Sequence, residues 1–174
     1  MKILTKMAIV APFILATNVA NAQNVQFNDV TTTGFDYVQS YNNPPVTDFD
    51  DTFFFQLSTT VNVDGLLGNI LQTVDSVDEL RIDNMIVDFS VNNGGGWALV
   101  DSWNVAAGQD LIYNEVLDAG SYRIDIAGDV NGSIGGTYDL AAAVSAVPEP
   151  STYALMLGGL GLVGFMAARR RKQD

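Results

Sequence analysis

Apolar and polar residues alternate with a period of two through most of the chain, and that period belongs to half-buried strands. At 51–57, Phe53, Phe55 and Leu57 fall on one face of an extended segment. Across 120–128, Tyr122, Ile124 and Ile126 face one way, and Ser121, Arg123 and Asp125 the other. Residues 137–147 repeat the pattern, with Tyr138, Leu140, Ala142 and Val144 predicted inward. Asn131-Gly132 lies between those two segments and predicts a hairpin turn, since both residues tolerate the positive φ of tight β-turns.

The alternation changes phase once. Leu80 and Ile82 keep one phase, while Met85, Val87, Phe89 and Val91 keep the other. A period-two pattern switches faces only through an irregularity, so Asp83-Asn84 predicts a bulge or a turn. Residues 92–96 read Asn-Asn-Gly-Gly-Gly, a loop, and strands are predicted at 97–103 and 110–116. Leu66, Leu67, Ile70, Leu71 and Val74 follow a helical spacing interrupted by Gly68, and predict a short helix or a loop. Many short strands with turn residues at close intervals predict an all-β domain, an antiparallel sandwich or a jelly-roll-like arrangement.

Both ends of the chain break this pattern. Residues 1–22 carry Lys2 and Lys6, an apolar stretch at 7–16 and then Ala20-Asn21-Ala22. A basic start, a short apolar run and a small-x-small exit make a secretory signal peptide. The run is too short to span a bilayer, which favours cleavage over anchoring. Cleavage after Ala22 would make Gln23 the first mature residue, with the Sec translocon and signal peptidase as partners. At the other end, Pro148-Glu149-Pro150 predicts an extended, accessible link, because each proline fixes its own φ and restricts its predecessor. Residues 152–168 carry no charge and match a single transmembrane helix at the short end of the usual range. Arg169, Arg170, Arg171 and Lys172 follow at once and hold that end on the cytoplasmic side, leaving the domain outside. The expected organisation is a signal peptide at 1–22, a β-rich ectodomain at 23–147 and a tail at 148–174 anchored in the inner membrane.

Charge sharpens that division. Of 20 acids only Glu149 and Asp174 lie outside 23–147, where Arg81 and Arg123 are the sole cations, so this segment carries a net charge of −16. Such a surface repels nucleic acid. The chain contains no cysteine and no histidine, which excludes thiol catalysis, histidine-based triads and the usual zinc sets. No lysine occurs between 23 and 147, so Schiff-base and Ser-Lys schemes fail as well. A carboxylate-pair hydrolase remains open, but 18 acids on a small domain bring carboxylates close without catalytic purpose, and the reading is no enzyme. No cofactor is expected except calcium, whose preference for hard oxygen ligands makes Asp48, Asp50, Asp129 and Asn131 the candidates. Turn chemistry explains the same residues equally well. Trp97, Trp103 and Tyr113 are candidate aromatic platforms for a carbohydrate.

The ordered set Pro148-Glu149-Pro150, an uncharged apolar stretch at 152–168 and the basic run Arg169 to Lys172 resembles the PEP-CTERM sorting signal of Gram-negative bacteria. The resemblance implies an exosortase as processing partner, cleavage near the tripeptide, and delivery to the cell surface or extracellular matrix, in association with exopolysaccharide. Phe49, Asp51 and Phe53 form an F-x-D-x-F pattern. With the closing Ala119-Gly120-Ser121-Tyr122 strand and the Gly-rich final hairpin, this looks like the FxDxF family of proteins bearing that tail, to which no activity is attached. Phe49, Asp51 and Phe53 share one face of a strand, so a buried Asp51 requires hydrogen-bond partners. The expected role is a non-enzymatic structural or binding protein of the surface or biofilm matrix, with a calcium- or carbohydrate-binding adhesive module as the alternative.

Overall fold

The computed structural model of the 174-residue chain describes residues 13–18, 22–42, 47–147, 155–163 and 166. Among the described residues twelve strands follow one another: β1 (Phe13–Asn18), β2 (Asn24–Asp29), β3 (Phe35–Asn42), β4 (Asp48–Leu57), β5 (Val61–Ile70), β6 (Gln72–Val74), β7 (Val77–Leu80), β8 (Ile82–Asn92), β9 (Trp97–Val105), β10 (Asp110–Leu117), β11 (Gly120–Val130) and β12 (Gly135–Ala146). They form two sheets, one ordered β1-β3-β12-β5-β10 with the β6–β7 ribbon beside β12, the other ordered β2-β4-β11-β8-β9. The sheets face each other across an apolar core, an all-β sandwich.

The central ladders are antiparallel, as expected from the pattern, but the sheets are mixed: β1 runs parallel to β3 and β2 runs parallel to β4. The N-terminal strands enter at the rims of sheets that the later strands complete. β1 falls within residues expected to be a signal peptide. It lies outermost, beyond β3, so the order β3-β12-β5-β10 does not depend on it.

Alternation places the core correctly. Phe49, Asp51, Phe53, Phe55 and Leu57 of β4 are all buried, as are Tyr138, Leu140 and Ala142 of β12. Rings from both sheets interleave: Phe27 stacks on Phe35 with centroids 4.5 Å apart, and Phe35 meets Phe55 at 5.6 Å. The phase change at Asp83-Asn84 is a bulge. Asp129 of β11 pairs with Asp83 and Ala127 with Ile86, so one extra β8 residue is accommodated, with Asn84 at φ +51°. Ile82 and Met85 are thereby both buried.

Two expectations are corrected. The segment read as a short helix or loop is strand β5 continuing into β6. Leu67 and Asn69 point into the core, while Leu66 and Ile70 lie on the outer face, 39% and 38% exposed. Apolar residues on both faces of a strand mimic a helical stripe. The hairpin expected at Asn131-Gly132 does not form either, because β11 and β12 belong to different sheets. The connection crosses the end of the sandwich and is held by the β7–β8 corner: Asn131 and Gly132 N–H donate to the Arg81 carbonyl, and Ser133 N–H to that of Asp78. A genuine two-residue hairpin joins β6 to β7 instead, with Asp75 and Ser76 at φ +50° and +66°.

A Cβ at position 132 would lie 2.1 Å from the Gly135 carbonyl oxygen and 2.4 Å from that of Glu79. Gly132→Ala is therefore expected to destabilise the domain by roughly 2–3 kcal/mol through forced backbone displacement. Gly95→Ala, whose Cβ would find only Asn93 Oδ1 at 3.5 Å, serves as the neutral control. Urea midpoints of the two variants check this.

Candidate functional site

The sandwich holds one feature that an ordinary apolar core lacks, a fully buried carboxylate in the middle of a phenylalanine-rich strand. Asp51 has no exposed surface. Its strand position points it at the opposite sheet, where Tyr41 of β3 and Tyr138 of β12 both donate their hydroxyls to Oδ2. The Gln23 backbone N–H donates to Oδ1 at 2.8 Å. The carboxylate thus ties three elements together: the central strand of one sheet, the second strand of that sheet, and the chain just before β2.

The flanking phenylalanines frame these donors. Phe49 stacks on Tyr41 at 4.6 Å and on Tyr138 at 5.6 Å. Phe53 meets Tyr138 edge-on at 6.4 Å and Tyr37 at 5.0 Å. The F-x-D-x-F pattern therefore reads physically as a carboxylate with an aromatic residue on either side, each packed on a tyrosine that serves it or adjoins it. The partners that a buried Asp51 requires are present. Sequence reasoning did not name Tyr41, Tyr138 or Gln23 for that role. Tyr138 was placed inward, but which tyrosines meet Asp51 depends on how the two sheets superpose, and no local pattern encodes that.

Burial raises the Asp51 carboxyl above the ordinary aspartate value, against the lowering effect of the two tyrosine hydroxyls and the Gln23 N–H, while neighbouring Asp50 adds a smaller upward push. The tyrosines respond in the same sense. Tyr138 is held well above the usual phenol range by burial and by the Asp51 charge, and Tyr41 by burial and its hydrogen bond to Asp51. Tyr37 is pushed up to about 12 by burial and then by Asp51. All three phenols stay protonated as donors at any ordinary pH. The two hydroxyls and the Gln23 N–H satisfy both oxygens of the buried carboxyl.

The other candidates are dispersed. Asp48 and Asp129 face each other in the β4–β11 register, and Asp50 is opposite Ala127. Asp129 accepts from Asn84 Nδ2 at 2.6 Å, and Asn131 Nδ2 donates to Asp83 at 2.9 Å. Asp83 also receives Arg81, whose guanidinium bridges to Asp78 at 2.7 Å. Among the described residues no group of three or more acids draws together as a metal site. Trp103 packs edge-on against Tyr113 at 5.7 Å. Both line a cavity of about 60 Å³ between the sheets, together with Phe55, Phe89, Leu117 and Leu140 and with no carboxylate. Trp97 is on the outer face beside Phe54, with the Arg123 guanidinium 5.2 Å from its ring centre.

Ala22 and Gln23 are described, the first exposed and the second half-buried. Ala20, the tripeptide Pro148, Glu149 and Pro150, and the basic residues Arg169, Arg170, Arg171 and Lys172 lie outside the described residues. Residues 155–163 of the expected 152–168 span are helical and exposed. No helix among the described residues is long and apolar enough to cross a membrane.

Asp51→Ala strands two buried hydroxyls and is expected to cost about 3 kcal/mol, with Tyr138→Phe costing about 2 kcal/mol. Both are read from urea unfolding. In the chain with residues before Gln23 still attached, the raised carboxyl binds its proton more tightly folded than unfolded. Its contribution to stability is full below about pH 4, the unfolded carboxyl range, and is lost as pH rises through the higher folded value. The stability of the wild type minus that of Asp51→Asn should therefore fall across that window. The subtraction cancels the opposite slope of exposed Asp29 and Asp78, whose carboxyls are lowered by their hydrogen-bond partners.

Comparison with known proteins bears on the other end of the chain. Residues 146–172 match the PEP-CTERM protein-sorting motif. No curated protein matches the chain. Among solved structures, the pre-peptidase C-terminal domain of a collagenase from Bacillus anthracis is similar over 72% of this chain and 100% of its own, at 12% identity and a TM-score of 0.42. PirA is similar over 56% of this chain and 94% of its own, at 13% identity and a TM-score of 0.32. The motif match covers the tail and does not reach Phe49, Asp51 or Phe53. The chain carries the PEP-CTERM protein-sorting motif over residues 146–172, directly after an all-β sandwich.

Proposed function

We propose that the protein is a non-enzymatic structural component of the cell surface or extracellular matrix, delivered there by removal of residues 1–22 and exosortase processing of the tail. The motif itself makes the chain a surface-directed exosortase substrate. The step beyond that is the role at the destination, the association with exopolysaccharide and the membrane-anchored intermediate.

One observation carries the reading: the sorting motif begins where the sandwich ends. Strand β12 runs to Ala146 and the match starts at residue 146, so the cargo is a finished β-domain with its address attached directly. The missing histidine, cysteine and internal lysine favour a structural role over catalysis. Of the three aromatics considered as sugar platforms, Trp103 and Tyr113 pack against each other and Trp97 has Arg123 over its ring. That packing favours the structural role over an adhesive one.

Replacing Pro148, Glu149 and Pro150 together by alanine is expected to leave the chain as an unprocessed, membrane-retained precursor. Immunoblots of fractionated cells should show a larger species lost from the surface pool. Normal size and surface delivery in that variant would sink the proposal.

A further inference from the structure

The Gln23 nitrogen that donates to Asp51 Oδ1 at 2.8 Å is the atom that cleavage after Ala22 would turn into the mature amino terminus. The residue is held in place from both sides. Its carbonyl accepts the Thr52 N–H at 2.7 Å, and the next residue, Asn24, opens the parallel pairing of β2 with β4 opposite Thr52. Ala22, on the far side of the bond to be cut, is exposed. Hydrolysis of that bond adds water across it: the Ala22 carbonyl becomes a carboxylate that leaves with the signal peptide, and the Gln23 nitrogen becomes an α-amine that takes up a proton.

We propose that signal-peptide removal creates a buried ion pair between the new Gln23 α-ammonium and the Asp51 carboxylate, so that maturation itself locks the N-terminal strand into the sandwich. The inference rests on the export reading, because it requires cleavage between Ala22 and Gln23. The charge balance of the site supports it. Asp51 is enclosed by neutral donors, Tyr41 and Tyr138, with Tyr37 behind them and acidic Asp50 beside it in its own strand. Arg81 and Arg123, the two cations of the segment, are paired elsewhere, with Asp78 and Asp83 and with Asp125. A buried carboxylate with hydrogen bonds and no countercharge carries an uncompensated desolvation cost. Cleavage supplies the missing positive charge at the atom already in contact. One proton of the ammonium keeps the existing bond, and the others face the side left open by Ala22.

The pair also protects a reactive end. An amino-terminal glutamine cyclises when its free amine attacks the side-chain Cδ, forming a C–N bond and expelling ammonia. An ammonium held by Asp51 has no lone pair for that attack, so the mature terminus should persist as open glutamine.

The absence of lysine from 23–147 makes the test direct, since the α-amine is the sole primary amine of the domain. Mature protein is purified from cells, its first residue and state are read by mass spectrometry, and an amine-acylating reagent is applied near pH 8 to folded and urea-unfolded samples. Pairing raises the amine's proton affinity; near pH 8 the first unit of that rise cuts the free-amine fraction about fivefold and each further unit about tenfold. We expect an intact Gln23 terminus whose acylation is at least about tenfold slower folded than unfolded, with the protection lost in Asp51→Asn and retained in Tyr138→Phe, folding of each variant being followed by circular dichroism. If Asp51→Asn does not fold, the pH dependence of acylation in the wild type decides, with its midpoint expected above that of the unfolded chain. A chain that begins at Gln23 and acylates equally fast folded and unfolded overturns the ion pair and leaves the export reading standing. A terminus at another residue overturns both cleavage at this bond and the pair. A cyclised terminus, which carries no charge, overturns the pair alone.

Discussion

Placing an aspartate inside an apolar sandwich imposes a condition that the rest of the structure satisfies. Ionised carboxylates pay several kilocalories per mole to leave water unless their oxygens are satisfied. Asp51 finds its donors in strands from the facing sheet and in the backbone before β2. Hydroxyls at the ends of tyrosines reach across the gap between sheets, which shorter side chains would not span. Their rings remain useful as apolar surface against Phe49 and Phe53. The relative position of the two sheets is thereby set by directional bonds as well as by packing. Apolar volume and pattern alone specify a unique arrangement less tightly.

The regular strands were legible because burial and alternation are local properties. Phe53, Phe55 and Leu57 point inward in β4, and Tyr138, Leu140 and Ala142 do so in β12. Even the irregularity at Asp83-Asn84 was visible, since a bulge is the way a strand changes phase without leaving its sheet. Where the outer face is also apolar the signal failed. Leu66 and Ile70 gave β5 a false helical stripe, and nothing in one sequence distinguishes an inner leucine from an outer one. Sheet membership was illegible for a different reason. Alternation says which face of a strand is buried but not which sheet it joins, so β11 and β12 looked like neighbours although the chain crosses the sandwich between them.

The candidate site was half legible in the same sense. That a carboxylate on the Phe49–Phe53 face needed partners followed from strand periodicity. Tyr41 and Tyr138 are 10 and 87 residues away from Asp51, and only the assembled fold brings them to it. The tail is the opposite case. Its tripeptide, apolar stretch and basic run are contiguous, so sequence order alone carries the message. Domain and address use different codes, one written in three dimensions and one in a line.

The position of β12 has a consequence for timing. It is the last strand of the domain, yet it lies between β3 and β5 in its sheet, and it brings Tyr138 to Asp51. A chain that emerges amino terminus first can therefore assemble no closed sandwich until its final strand has appeared, because the two strands that flank the gap do not pair with each other. Vectorial emergence thus leaves the domain incomplete until the tail is next in line, and long-range pairings of this kind form slowly. The keystone arrives last, immediately ahead of the residues that will be read for sorting. A truncation that runs past the address into residues 135–146 takes out the middle of a sheet, so the margin between losing the address and losing the fold is a few residues wide.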